Sequence, residues 1–208
     1  MKLYVVKISP CCRVVWLYCL QNDIKVEIED VDVFSGEHKT ENFKKMSPFS
    51  EFPVLSDGEN SIYGACPILL YLGEKYSNFK CFGEDGKQNM MLGEKYSNFK
   101  CFGEDGKQNM MLGEKYSNFK CFGEDGKQNM MGLESKILYY IAGLFIVLGS
   151  SITVADYYVA TLILQLEWLE FDFSLWPKLT NWLNTFKDLE LWKKVHEKHN
   201  GFVAELKK

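Results

Sequence analysis

A chain of 208 residues that is 47% apolar and 25% charged has material for one large soluble domain or two small ones. Its formal net charge of -4 supplies no basic patch or stripe, which argues against a nucleic-acid partner. The longest apolar run, Ile137–Gly149, has 13 residues against the about 20 needed to span a bilayer, so a buried segment is expected and a membrane anchor is not.

Three of the seven cysteines are copies of one repeat position, leaving Cys11, Cys12, Cys19 and Cys66. These contain no Cys-x-x-Cys pair, so no metal centre is expected. Lys2 precedes only the short run "LYVV", which predicts no secretory leader. Reduced thiols and a cytoplasmic location follow as expectations.

In chain order, "KLYVVK" reads as a strand and "PCCRVVWLYCLQ" as a helix ending near Gln21, with Pro10 at the first helical position, where its missing N–H costs nothing. Ile24, Val26, Ile28 and Val31 mark a second strand within "IKVEIEDVDV". "SGEHKTENFKKM" reads as one short polar helix. "FPVLSDGENSIY" reads as two strands joined at Asp57-Gly58, and "CPILLYLGEKY" as a helix with Pro67 in its first turn. The order is β-α-β-α-β-β-α, that of an α/β thioredoxin-like domain over residues 1–76.

The segment "LGEKYSNFKCFGEDGKQNMM" then occurs three times without a difference, at Leu72–Met91, Leu92–Met111 and Leu112–Met131. A solenoid normally carries distinct capping repeats at its ends, and these copies offer none. This triple 20-residue repeat reads as a linker insertion over residues 77–131, ahead of a shortened all-α C-terminal domain over residues 132–208. There "LESKILYYIAGL" leads to a turn at Gly149. "TVADYYVATLILQLEWL" follows with Thr153 as N-cap and Asp156 three residues on, a capping-box pattern. Phe171 to Pro177 reads as loop, and "KLTNWLNTFKDL" and "ELWKKVHEKH" as the last helices.

The stretch "KISPCCRVV" places Ser9 and two cysteines at the strand-to-helix turn, where backbone N–H groups and the positive helix pole favour an anion such as a thiolate. Geometry alone does not say whose thiol that is. "SPCCR", "GEHK", "FPVLSDG" and "SITVAD", in this order and spacing, resemble the cytosolic glutathione S-transferases, and most of all their theta and delta classes. The resemblance covers Lys2–Tyr76 and resumes from Leu133 to about His199.

The resemblance implies a homodimeric cytoplasmic enzyme that conjugates the glutathione thiolate to a hydrophobic electrophile. Glutathione is then a co-substrate, and no cofactor is implied. A free thiol with a pKa of about 8.5 is mostly protonated at neutral pH, so a donor aimed at its sulfur multiplies the nucleophile. Ser9 takes that catalytic role in the resemblance. His38 would contact the glycine end of glutathione. Phe52, before a cis Pro53, would pair through its backbone with the cysteinyl part, and Arg13 would be a structural cation near the site. Competing readings make Cys11 or Cys12 a redox or glutathionylation centre, or pack Cys12 inward as a small apolar residue.

One departure concerns the third helix. The family carries Glu-Ser or Gln-Ser at its start to grip the γ-glutamyl group, and this chain has Gly64 and Ala65, leaving backbone N–H groups for the ligand carboxylate. Each lost hydrogen bond to a charged group is worth roughly 1.5–3 kcal/mol. Restoring the pair with Gly64→Glu and Ala65→Ser is therefore expected to tighten binding. Gly64, Ala65 and the repeats keep a second function open, a non-catalytic binding or assembly module on the same fold.

Overall fold

The computed structural model describes residues 1–76 and 152–208. Most of the triple repeat, the linker over 77–131 and the apolar run Ile137–Gly149 lie outside the described residues.

Strand β1 (Lys2–Val5) leads through Pro10 into helix α1 (Pro10–Gln21). β2 (Glu27–Asp30) lies parallel to β1, with Leu3 opposite Ile28. β3 (Val54–Asp57) runs antiparallel to β1, and β4 (Asn60–Tyr63) antiparallel to β3, giving the sheet order β2-β1-β3-β4. Gly58 takes a φ of 63° in the β3–β4 hairpin, a left-handed conformation that glycine adopts without strain. Helix α3 (Ala65–Lys75) closes the unit, with Leu72 of the first repeat copy buried in it.

The period-two alternation of strands separates two cores. Leu3, Val5 and Leu55 face α1 and α3, whereas Tyr4 and Val54 face Phe43 on helix α2 (Glu41–Met46), with Phe52 and Tyr63. Two sequence expectations are corrected in this unit. The strand expected to run from Ile24 to Val31 is ordered as a ladder only over β2. The polar segment is not one helix, because a 3-10 turn at Glu37–Lys39 is cut from α2 by Thr40. Thr40 adopts extended backbone, and its hydroxyl accepts the Phe43 N–H at 3.3 Å as an N-cap.

The C-terminal described residues are helical. α4 (Val154–Ile163) starts at the expected capping box: the Asp156 carboxylate accepts from the Thr153 N–H at 2.8 Å and from its hydroxyl at 2.7 Å. The helix tightens into a 3-10 segment at Leu164–Leu169 instead of continuing as α-helix. A 3-10 turn at Phe173–Leu175 interrupts the expected loop, and α5 (Pro177–Lys187) begins at Pro177. α6 (Glu190–Leu206) runs a further two turns beyond the expected end at His199. Gly201 in its interior costs about 1 kcal/mol against alanine, and burial of Val203 beyond it offsets this. No helix among the described residues is long and apolar enough to cross a membrane.

Helix α1 lies between the sheet and the C-terminal helices, packing on α3 on one side and on α4 and α6 on the other. Cys12, Val14, Val15, Leu17, Tyr18 and Cys19 are accordingly all buried. Arg13 is the polar exception. It is fully buried, and its Nη2 donates to the Thr161 carbonyl at 3.4 Å. Burial lowers its pKa to about 9 against the opposing effect of Cys12, Glu167 and Cys11, so it stays charged at neutral pH. It faces the helical seam.

In that seam His196 stacks on Trp192 with ring centroids 3.9 Å apart, and His199 lies 5.8 Å from His196. Burial, and then the Arg13 charge, lower the His196 pKa to about 2 and the His199 pKa to about 4. Both folded values lie below the ordinary 6.5. The unfolded chain therefore takes up protons that the folded one refuses, and stability is full above pH 6.5 and falls as pH drops below it. The two histidines together should remove roughly 3–4 kcal/mol of unfolding free energy between pH 7 and pH 5. Urea unfolding at the two pH values checks this, and equal stabilities would show that the seam does not hold both rings neutral.

Candidate functional site

The strand register brings the expected site residues to one end of the sheet. Ser9 follows the C-terminal end of β1. Tyr4 opposite Val54 places Pro53 beside that end, and Val54 opposite Tyr63 brings Gly64 and Ala65 there as well. The Gly64 N–H donates to the Pro53 carbonyl at 2.9 Å, tying two of these segments directly. β2 runs parallel to β1, so the segment after it, which carries His38, emerges at the same end.

Ser9 is the backbone N-cap of α1. Its N–H donates to the Val6 carbonyl at 2.7 Å, and its own carbonyl accepts the Arg13 N–H at 3.1 Å. The side chain makes no capping hydrogen bond, so the hydroxyl is not consumed by the role a helix-start serine usually fills. It lies within hydrogen-bonding reach of the Cys12 thiol. Ser9 thus stands at the positive pole of a 12-residue helix, its hydroxyl outside the cap and turned to the Cys12 sulfur, from which an arriving thiolate would draw it.

Cys12 is 1% exposed, and its sulfur accepts the Val6 N–H at 3.3 Å. Burial drives its pKa up to about 12, outweighing that hydrogen bond and the one from Ser9. A thiol held protonated in this way is a packing group and a poor nucleophile. Cys11 is half-buried, 3.2 Å from the Tyr158 hydroxyl on α4, and burial raises its pKa too. Tyr158 links the start of α1 to the C-terminal helices. Sequence reasoning missed this contact, since nothing in "ADYYVA" distinguishes Tyr158 from Tyr157.

The Phe52–Pro53 peptide bond is cis. The ring of Phe52 packs on Phe43 at 4.9 Å and lies 6.5 Å from that of His38. The Ser50 hydroxyl donates to the His38 carbonyl at 2.9 Å, which fastens the His38 turn to the loop entering Pro53. The buried Nδ1 of His38 has no hydrogen-bond partner among the described residues. Among those residues no group of three or more His, Cys, Asp or Glu side chains is arranged to hold a metal ion.

The family model for the glutathione S-transferase N-terminal domain matches residues 3–80. The chain carries a glutathione S-transferase N-terminal domain. Over about that stretch the sequence is similar to theta-class proteins. Human glutathione S-transferase theta-1 is 36% identical over 76 residues, and the bovine theta-1 protein 33% identical over the same length. Each match covers 36% of this chain and 32% of the relative, so the chain matches about a third of those proteins' length. The fold is similar to that of solved glutathione transferases. A delta-class enzyme of Nilaparvata lugens superposes with a TM-score of 0.76 at 23% identity, covering 99% of this chain and 98% of that one. Human theta-2, solved in complex with glutathione, gives 0.77 at 20% identity, covering 99% and 89%.

The backbone at Gly64 adds a cost to one of the two substitutions expected to tighten binding. It has φ 87° and ψ 146°, a region essentially reserved for glycine. A Cβ there would meet only the Pro67 ring, Cδ at 3.5 Å and Cγ at 3.9 Å, ordinary contacts, so any penalty is conformational and not steric. Gly64→Glu therefore carries a backbone cost that the sequence comparison concealed, and Ala65→Ser, at a helical position, does not. Gly64→Ala should lower unfolding free energy by about 1–3 kcal/mol and Ala65→Ser by less. Chemical denaturation of the two variants beside the parent checks this, and a Gly64→Ala protein as stable as the parent would contradict the backbone described.

Proposed function

We propose that this protein is a glutathione S-transferase that holds the glutathione thiolate for attack on a hydrophobic electrophile, with glutathione as co-substrate and no further cofactor. One observation carries the reading: Ser9 presents its hydroxyl at the positive end of α1, at the same end of the sheet as the cis Phe52–Pro53 bond and the start of α3. Ser9 donates to the thiolate sulfur. The Phe52 backbone pairs with the cysteinyl unit, His38 contacts the glycine end, and the Ala65 N–H at the start of α3 takes the γ-glutamyl carboxylate, the Gly64 N–H being held by the Pro53 carbonyl. The helix pole and the Ser9 donor both favour the charged sulfur, so the bound thiol loses its proton more readily than in water.

A cytoplasmic homodimer fits this reading. Reduced thiols suit that compartment. Phe34 and Phe49, 83% and 75% exposed, are large apolar side chains of the kind a second copy covers. Gly64 and Ala65, which remove two side-chain contacts, favour a second reading as a non-catalytic module on the same fold.

The two readings separate on the Ser9→Ala variant assayed with a chromogenic electrophile at neutral pH. The transferase reading expects a loss of ten-fold or more in rate at unchanged melting temperature, and Cys12→Ser as active as the parent. An unaltered Ser9→Ala rate would remove Ser9 from the chemistry. A parent without conjugating activity that is retained on immobilised glutathione would favour the binding module.

A further inference from the structure

Two cysteines stand at the same step of two neighbouring helices. Cys11 is the second residue of α1, and Cys66 is the second residue of α3. β1 and β4 each run antiparallel to β3, so they are parallel to one another and feed α1 and α3 in the same direction. Both helices pack on the sheet face that carries Leu3, Val5 and Leu55, and they pack on each other. The two thiols therefore face a common seam between the helix starts. Tyr158 of α4 enters that seam, its hydroxyl 3.2 Å from the Cys11 sulfur. Burial first, and then both cysteines, oppose ionisation of that hydroxyl, as expected where the three groups are neighbours.

Neither cysteine is in a disulfide, and both are half-buried, whereas Cys12 and Cys19 lie within the core. The two thiols of the seam are unequal. Burial holds Cys11 protonated at rest, with the Tyr158 hydroxyl opposing this and the Cys66 thiol adding to it. Cys11 is thus a poor first attacker. Cys66 is open to solvent in part and stands at the positive pole of an 11-residue helix, a place that favours a thiolate. Once a disulfide is carried on Cys66, the Cys11 sulfur is held beside it. An attack within one molecule then needs far less thiolate than one between molecules. Tyr158 supplies an O–H to the Cys11 sulfur as it ionises.

We propose that Cys11 and Cys66 are a redox pair, closed to an intramolecular disulfide by a small-molecule disulfide such as glutathione disulfide. The Cys66 thiolate attacks one sulfur of glutathione disulfide, forms a mixed disulfide and expels the other half as a thiolate. Cys11 then loses its proton, attacks the Cys66 sulfur and expels the second glutathione thiolate. The protons lost by the two cysteines end on the two glutathione thiols. Two protein thiols are oxidised by the two electrons that reduce the glutathione disulfide. The new bond ties the helix that carries Ser9 to the helix that follows Gly64. Neither cysteine has a role in the transferase reading, so the pair stands or falls apart from it.

Incubating the full chain with glutathione disulfide, followed by tryptic digestion without reduction and mass spectrometry, tests this. The proposal expects the peptide of residues 8–13 linked to that of residues 46–75, the two that contain Cys11 and Cys66. Because the first peptide also holds Cys12, two variants assign the link. Cys12→Ser should keep it. Cys11→Ser should lose it and leave one glutathione on the Cys66 peptide. A parent that retains glutathione on Cys66, or in which Cys66 stays unmodified, would overturn the proposal. So would a parent that joins Cys11 to Cys12 or to a cysteine of the repeats, or a link that survives Cys11→Ser.

Discussion

Helix α1 is buried on two sides, and the position of the candidate site depends on that. One flank packs on the sheet and α3, the other on α4 and α6, so the helix cannot shift without opening both. Burying a side chain of the size of Val or Leu is worth about 1.5–3 kcal/mol, and α1 buries Val14, Val15 and Leu17 together with Tyr18. The N-terminus of such a helix is a fixed point. Ser9 sits on it, held further by the Val6 carbonyl and by the link from Cys11 to Tyr158.

The same burial decides whose sulfur this turn can serve. Cys12 enters the core, where desolvation keeps it protonated, and Cys11 is pushed in the same direction. The positive pole of α1 is thus not spent on a protein thiolate. On the proposed reading, a thiol arriving from solvent at Ser9 meets the pole and the hydroxyl without being carried into the apolar interior. The antiparallel register of β1, β3 and β4 sets the other candidate site residues at the same end, with the Gly64 to Pro53 hydrogen bond fixing their spacing.

Much of this was legible in the sequence because it rests on local signals. Pro10 after an apolar run, Asp57-Gly58 between alternating segments, and Thr153 with Asp156 each mark an element by residues a few positions apart. The cis bond at Pro53 was legible through family resemblance and not through local chemistry. What stayed hidden depends on distant residues. The left-handed backbone at Gly64 arises where β4 turns into α3, and the sequence shows only that a glycine stands there. The continuation of α6 through Asn200-Gly201 depends on burial of Val203. The action of the Arg13 charge on His196 and His199 joins residues more than 180 positions apart, beyond the reach of any periodicity.

The central claim is that the turn carrying Ser9 makes a bound thiol more acidic. Titrating the thiolate absorbance of glutathione bound to the full chain measures this directly, with Ser9→Ala as the comparison. The account predicts a bound thiol that ionises toward pH of about 7 in the parent, and near the free value of about 8.5 in the variant. A parent in which the bound thiol titrates at the free value would contradict it.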